Sequence, residues 1–382
     1  MILSQRNQMI QKTARAFAAR EITPIAAELD ECAEFPMTLW RKIADAGYLG
    51  VRIPKDQGGQ GADCMALVTV IEELSYGAGG VGSLISGPNS LNTSSLIEVG
   101  TPEQKKKYLY PALRGDLILC FALTEAGAGS DAGSVAARAV KTENGFVLNG
   151  AKSFISFAPV ADAALVFAKT DPAAGTKGIS AFLVDLDLPG VIRGPSEHKM
   201  GIRCCPVGEI TMNNVHVPGN ALLGKLNEGY QLAMKSLDIG RLGVSAQALG
   251  IAQSAADQAL NYAKQRKQFG HPISKFQAIS FYLAEMATRL SAMRLMVYDT
   301  AQRIDQGEEV GVAAAMTKLY CADTAVEIVD RALQIMGGNG YMTGNPVERC
   351  YRDIRILPIY EGTSEIQKLV ISKAVLKKET AR

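Results

Sequence analysis

Gly127-Ala128-Gly129-Ser130-Asp131-Ala132 carries the plainest chemical pattern in the chain. Glycines let a ligand come close to backbone amides, and G-x-G-x-x-A is a dinucleotide-binding pattern. That pattern needs a strand before it, a helix after it and an acid about 20 residues on. Here hairpin turns follow, and no acid lies between Asn144 and Ala161. A nicotinamide-binding Rossmann unit is therefore the weaker reading, and an ordinary turn stays open. Metal and thiol chemistry fit less well. The seven Cys (Cys32, Cys64, Cys120, Cys204, Cys205, Cys321, Cys350) form no C-x-x-C pair, and His198, His216 and His271 are far apart. Zinc sites use closely spaced pairs, so no metal is expected. An odd Cys count in a large chain argues against a disulfide framework and for a reducing compartment. Cys204-Cys205 reads as two structural thiols. Glu361, taken alone, reads as a surface acid opening the last helix.

The elements that hold these residues fall into three zones. Over residues 1–115 helical spacing dominates, as in Ile10, Ala14 and Phe17, or Leu39, Ile43 and Ala46 before Gly47. Pro24 should break a segment. A helix is expected over Met65–Tyr76, and another from Thr101, with Pro102 and Gln104 completing an N-terminal cap. Over 116–222 the period changes. Gly178–Asp185, Ala163–Lys169 and Glu209–Met212 read as strands, and Asn144-Gly145 and Asn149-Gly150 as hairpin turns. Close-set strands without helices between them predict an antiparallel, barrel-like sheet. From 223 to 382 the helical period returns. Its stripes are Leu226–Leu237, Met286–Ile304 and Leu319–Leu333, which predicts an antiparallel four-helix bundle. The fold class is thus α+β, mostly α.

Composition bounds the function. The 382 residues are 47% hydrophobic and 20% charged, enough for two or three domain cores and inconsistent with disorder. Lys+Arg 40 against Asp+Glu 38 leaves a net charge of +2. Such a chain has no bulk attraction for nucleic acid or an anionic membrane. The run Lys105-Lys106-Lys107 reads as a solvated helix face. No apolar run nears the ~20 residues of a spanning helix, and the N-terminus lacks a signal-peptide core. The expected location is the cytoplasm, or the mitochondrial matrix for a processed eukaryotic chain.

Four longer motifs agree with one another. Phe121–Asp131 resembles the first signature of the acyl-CoA dehydrogenase family. Gln334–Tyr341, Tyr360–Gln367 and Arg266–Gly270 with Gln277 resemble the family's other segments, in family order and spacing. The resemblance covers nearly the whole chain. It is nearest to the short-chain, butyryl-CoA members, notably through Leu237–Arg241.

The resemblance implies an FAD enzyme that removes two hydrogens from an acyl-CoA thioester. A base takes the Cα proton, and the Cβ hydride goes to flavin N5. Such a base gains strength when an apolar group desolvates it. Glu361 stands at the family's base position. Other members carry the base on an earlier helix, at the position of Gly240, which has no side chain. By resemblance the Glu361 N–H and an FAD hydroxyl hold the thioester oxygen, and Gly362 permits close approach. Leu123, Thr124, Ser130, Phe154 and Ser156 would contact the flavin, with Phe154 in place of the family's usual Trp. Arg266, Phe269, Gln277, Gln334, Gly337 and Gly338 resemble residues of the adenosine and pyrophosphate half, several acting across a subunit interface. Thr363 and Glu365 resemble closing contacts to the same cofactor. Ser130, Asp238, Arg241, Tyr360 and Gly362 would face the substrate. The pocket floor is expected around Asn89, Ser90, Leu91, Ser94 and Ser95. A homotetramer and an electron-transfer flavoprotein as acceptor are also implied.

Three further readings stay open. The same residues serve an enoyl-CoA reductase, or an enzyme for branched, aryl or alicyclic acyl groups. A flavin-binding protein without turnover is the more distant alternative, and intact Glu361 argues against it. A nicotinamide enzyme would bind no flavin.

Overall fold

The computed structural model describes residues 3–379; residues 1–2 and 380–382, at the outer edges of the first and last expected domains, lie outside it. Helices α1 (Gln5–Phe17), α2 (Met37–Asp45), α3 (Cys64–Gly77) and α4 (Gly79–Asn89) are the longest helices of the first zone. The apolar spacing holds in part: Ala14 and Phe17 are buried on α1 and Leu39 and Ile43 on α2, whereas Ile10 is half-buried and Ala46, just past the end of α2, is exposed. Gly47 follows α2 at φ +76. Pro24 sits in a 3-10 turn between other helical segments. The Thr101 cap is complete, because Gln104 N–H donates to Thr101 Oγ1 (3.2 Å) and Thr101 N–H to Gln104 Oε1 (3.0 Å).

The middle zone is one sheet in the order β6-β7-β3-β2-β4-β5-β8, with β1 beside β4. Its strands are β1 (Leu119–Ala122), β2 (Arg138–Thr142), β3 (Gly145–Ser156), β4 (Ala163–Lys169), β5 (Ile179–Asp185), β6 (Val191–Arg193), β7 (Val207–Pro218) and β8 (Leu222–Leu223). Pairing is antiparallel except where β4 meets β1 and β2. No helix follows Gly127–Ala132; a short 3-10 turn leads into β2, so the Rossmann context is absent. The sequence also misplaced one turn. Asn144-Gly145 does lead the chain from β2 into β3, but Asn149-Gly150 lies inside β3 as an irregularity against β7. Asn149 Oδ1 accepts the Asn214 N–H at 2.8 Å. Gly150 takes φ +142 where a Cβ would press on Ala137 at 2.7 Å. The chain does not reverse here: on β7 Asn213 and Asn214 stand against Asn149 alone, so the extra residue belongs to β7 and the dipeptide accommodates it.

The last zone holds α5 (Gly229–Gln265), α6 (Gln277–Asp305), α7 (Gly311–Met336) and α8 (Ser364–Glu379). Leu226 lies ahead of α5 and is largely exposed, so it is not part of that helix's stripe. On α7 the buried face carries Lys318, Cys321, Ala322, Ala325 and Val329, whereas Leu319, Val326 and Leu333 are only half-buried. Helix α5 is buried on all sides from Gly240 to Ala252, as expected of a central helix. It packs on α3, α4, α6 and α7. Interior glycines cost a helix about 0.5–1 kcal/mol each relative to Ala. Gly240, Gly243 and Gly250 are nonetheless required here, since a Cβ at each would strike Glu361, Ser86 or the Glu72 carbonyl. A buried charge also joins the bundle to α3: Arg294 donates to Glu72 at 2.7 Å, and Tyr298 Oη–H to the same carboxylate at 3.1 Å.

Candidate active site

The turn before α8 places Glu361. Glu361 has φ +53 and Gly362 φ +90. The left-handed region costs a non-glycine residue of order 1 kcal/mol or more, so the surroundings must hold it. Gln367 Nε2 donates to the Gly362 carbonyl (2.9 Å) and the Glu361 carbonyl (3.3 Å). Lys318 Nζ donates to the Gly362 carbonyl at 2.7 Å. Ser364 N–H donates to the Pro358 carbonyl at 2.9 Å.

This turn aims Glu361 into a cavity of about 640 Å³. Its Oε2 is fully enclosed and has no hydrogen-bond partner among the described residues. Burial pushes the carboxyl up to about 7, against the lowering pull of Lys318 and Arg241. Arg241 lines the same cavity, gives one guanidinium N–H to Asp238 (2.7 Å), and keeps Nε enclosed and unpartnered. Burial raises Asp238, and Arg241 acts against it. Tyr360 donates its hydroxyl to Gln247 Oε1 at 2.5 Å, while Gln247 Nε2 donates to Gly79 O and Ser83 Oγ.

The sheet supplies the facing wall: Leu123, Thr124, Ser130, Phe154 and Ser156 all line the cavity. Their backbone is pinned by a buried pair. Lys152 Nζ donates to Glu125 Oε1 (2.7 Å) and to the Leu123 carbonyl (3.0 Å), and Ser153 N–H donates to the Thr124 carbonyl. Burial works to raise Glu125, yet Lys152 and the Ala136 and Ala137 N–H groups hold it below its usual value.

One cavity therefore gathers Glu361, Tyr360, Gly362, Arg241, Leu123, Thr124, Ser130, Phe154 and Ser156. Asp238 reaches it through Arg241. Arg266, Phe269, Gln277, Gln334, Gly337 and Gly338 do not line it. They lie at the other end of the bundle, where Asn339 donates to the Tyr262 hydroxyl at 2.7 Å. There Phe269 is 90% exposed, and open space surrounds Gly337 and Gly338. Thr363 caps α8 through the Ile366 N–H, and Glu365 is exposed. The floor differs from expectation. Leu91 lines the cavity, but with Ser83, Ser86, Gly87 and Asn92. Asn89 instead bonds Val51, Tyr48 and Ile85; Ser90 bonds Ser86 O; Ser94 meets Arg52; and Ser95 meets Ser236. Cys205 lines the cavity beside buried Cys204, both as free thiols.

Sequence reasoning missed Lys318, Gln367, Gln247 and the Lys152–Glu125 pair. A lysine inside an apolar stripe was the available signal for Lys318. For Gln367 and Glu125 it was their place within motifs already singled out.

A helical part, a small sheet and a helical bundle converge on one cavity with an enclosed carboxyl oxygen inside it, the setting of an enzyme that moves protons. The chain belongs to the acyl-CoA dehydrogenase family: it matches that family's N-terminal domain over residues 4–116, its middle domain over 120–215 and its C-terminal domain over 227–376. It is 51% identical to the 3-(aryl)acrylate reductase of Clostridium sporogenes, covering 99% of this chain and 100% of that one. It is 48% identical to a subunit of the caffeyl-CoA reductase-Etf complex of Acetobacterium woodii, again over 99% and 100%. Among solved structures, butyryl-CoA dehydrogenase from Megasphaera elsdenii superposes with a TM-score of 0.96 at 38% identity, over 98% of this chain and 99% of that one. Among the described residues no helix is long and apolar enough to cross a membrane, and no cluster could hold a metal ion.

Proposed function

We propose that the chain is an FAD-dependent oxidoreductase of the Cα–Cβ bond of acyl-CoA thioesters, working chiefly as a reductase of aryl-substituted 2-enoyl-CoA. The observation that carries the reading is the enclosed, unpartnered Glu361 carboxyl in the cavity. At about 7, this group is shared between acid and carboxylate at neutral pH. It can give a proton to Cα in reduction or take one in dehydrogenation. The reductase names of two relatives at 51% and 48% identity support the direction and the aryl class. The small side chains of Ser83, Ser86 and Gly87 in the wall leave room for a ring.

The residues fit FAD. A Cβ at Gly127 or Gly129 would meet nothing within 4 Å, so backbone there stands open to a ligand. Three enclosed polar atoms at the cavity, Glu361 Oε2, Arg241 Nε and Ser86 Oγ, have no hydrogen-bond partner among the described residues. Leu123, Thr124, Ser130, Phe154 and Ser156 would hold the ring system, which when bound exchanges a hydride with Cβ. Tyr360 and Gly362 shape the thioester seat, and the Glu361 N–H holds its oxygen. Arg241, steadied by Asp238, faces the CoA arm. Arg266, Phe269, Gln277, Gln334, Gly337, Gly338, Thr363 and Glu365 would hold the rest of the cofactor in a homotetramer, with an electron-transfer flavoprotein as redox partner.

The test is anaerobic stopped-flow mixing of the reduced holoenzyme with cinnamoyl-CoA and with crotonyl-CoA. Return of flavin absorbance should be faster with cinnamoyl-CoA. Glu361→Gln should keep FAD and lose this reaction by about 10³-fold. Preference for crotonyl-CoA would return the reading to a short-chain dehydrogenase, and full activity of Glu361→Gln would remove the acid–base assignment.

A further inference from the structure

Lys318 lies on α7, 43 positions before Glu361 in the chain, yet its ammonium ends against the carbonyl of Gly362, the residue after Glu361. The side chain is fully buried, and Gln367 on α8 is fully buried as well. Both donate to one acceptor, the Gly362 carbonyl, at 2.7 and 2.9 Å. A lysine enclosed in a helical bundle is costly unless paired, and its nearest bond here is to a carbonyl, not a carboxylate.

Resting on the reading of Glu361 above, we propose that Lys318 and Gln367 are positioning residues that clamp the Glu361-Gly362 turn, and that Lys318 also supplies the nearby charge against which Glu361 ionises. Two donors on the Gly362 carbonyl fix the Gly362–Thr363 peptide, and Gln367 Nε2 also reaches the Glu361 carbonyl at 3.3 Å, which holds the Glu361–Gly362 peptide. With both peptides held, the left-handed turn that directs the Glu361 side chain is fixed. Gly362 cannot be replaced cheaply in this clamp: a Cβ there would press on Gln367 Nε2 at 2.6 Å, at φ +90. The two donors differ in a way that allows them to be separated. Gln367 is neutral, so it acts through geometry alone. Lys318 acts through geometry and charge.

Other charged groups face the same cavity, among them Lys373 on α8 and Asp131 beside the sheet wall. Arg241 from α5 adds a second positive charge near Glu361 and is itself paired with Asp238. Asp323 on α7 accepts the Ser364 hydroxyl (2.7 Å), and Glu365 on α8 is exposed. Half-buried Tyr360 stays neutral, because desolvation raises it well above its usual value. Burial lowers Lys318 to about 8, with Glu361 and Asp323 pulling upward, so its ammonium is still the majority form at pH 7.

The experiment compares single-turnover flavin kinetics of the holoenzyme against pH in the parent, Lys318→Met, Lys318→Gln and Gln367→Met, with FAD content measured for each. In Lys318→Met the ionisation governing the rate should move up by about one unit, as loss of a neighbouring cation requires. The rate plateau should fall about tenfold while FAD is retained. Lys318→Gln keeps a donor without the charge. It should show the same upward move with a smaller loss of rate, and it decides the question if Lys318→Met fails to fold. Gln367→Met should lose rate without moving the ionisation. A Lys318→Gln profile that superimposes on the parent profile would overturn the proposal, and so would a Gln367→Met profile displaced as far as that of Lys318→Met. A parent profile unchanged in Glu361→Gln would instead remove Glu361 as the titrating group, and the clamp's electrostatic role with it.

Discussion

A side chain on Gly240 and the carboxyl of Glu361 exclude each other: a Cβ at Gly240 would fall on Glu361 Oε2. The two residues stand 121 positions apart, and α5 leaves a gap where the last turn inserts its acid. The missing side chain is part of how the carboxyl is placed.

Gly240→Ala should therefore separate stability from activity. Alanine favours the helix by about 0.5–1 kcal/mol, but it pushes the carboxyl from its position. We expect flavin turnover to fall about 100-fold with little change in melting temperature. Stopped-flow and thermal unfolding of the same preparation check both halves.

Glu361→Gln should stabilise the protein at alkaline pH. The folded carboxyl sits at about 7, above its ordinary value of 4.5. The folded state therefore holds a proton that the unfolded state releases between those values. Stability from this group is complete below about pH 4 and falls as pH rises toward 7, by up to about 3 kcal/mol. Thermal melts at pH 4 and pH 8 should show parent and variant alike at the lower pH, with the variant higher at the upper pH.

Lys152→Met should destabilise the sheet wall. It strands Glu125 without its cation and frees the Leu123 carbonyl. Breaking a buried pair on one side costs about 3–5 kcal/mol. Urea unfolding should show a loss in that range, accompanied by weaker FAD retention, because Leu123 and Thr124 lose their anchor.

Leu91→Trp should narrow acyl choice. Leu91 lines the cavity beside Gly87 and Asn92. An indole there should cost cinnamoyl-CoA about tenfold or more in kcat/KM and crotonyl-CoA little. Equal losses for both would place the ring elsewhere.

Thiol labelling should follow burial. Cys32 is exposed, whereas Cys204 and Cys205 are enclosed, and burial pushes the Cys205 thiol up to about 11. Mass spectrometry after brief alkylation should find Cys32 modified and the adjacent pair unmodified until the protein unfolds.

The fold class was legible because it rests on local pattern, and the cavity's principal residues because their motifs carry the family resemblance. Period 3.6 against period 2 separated helices from strands, and Glu361, Thr124 and Ser130 sit within short motifs. What stayed hidden depends on distant approach. Lys318 is one charge in an apolar stripe until α7 is laid against the turn at Gly362. The floor was misjudged because Asn89 and Ser90 spend their polar groups on backbone, a choice made by packing. Asn149-Gly150 has the composition of a turn, and only pairing with β7 shows it inside a strand, opposite a bulge at Asn213 and Asn214.

The enclosed stretch of α5 bears on how such an enzyme can change. A helix surrounded from Gly240 to Ala252 has no position whose size can vary without a partner varying too. Retuning through this helix takes coordinated substitutions, whereas the wall formed by Ser83, Gly87 and Leu91 faces the open cavity and can drift one residue at a time. The molecule thus divides into a spine that is slow to evolve, which fixes where the acid stands, and a lining free to follow new acyl groups.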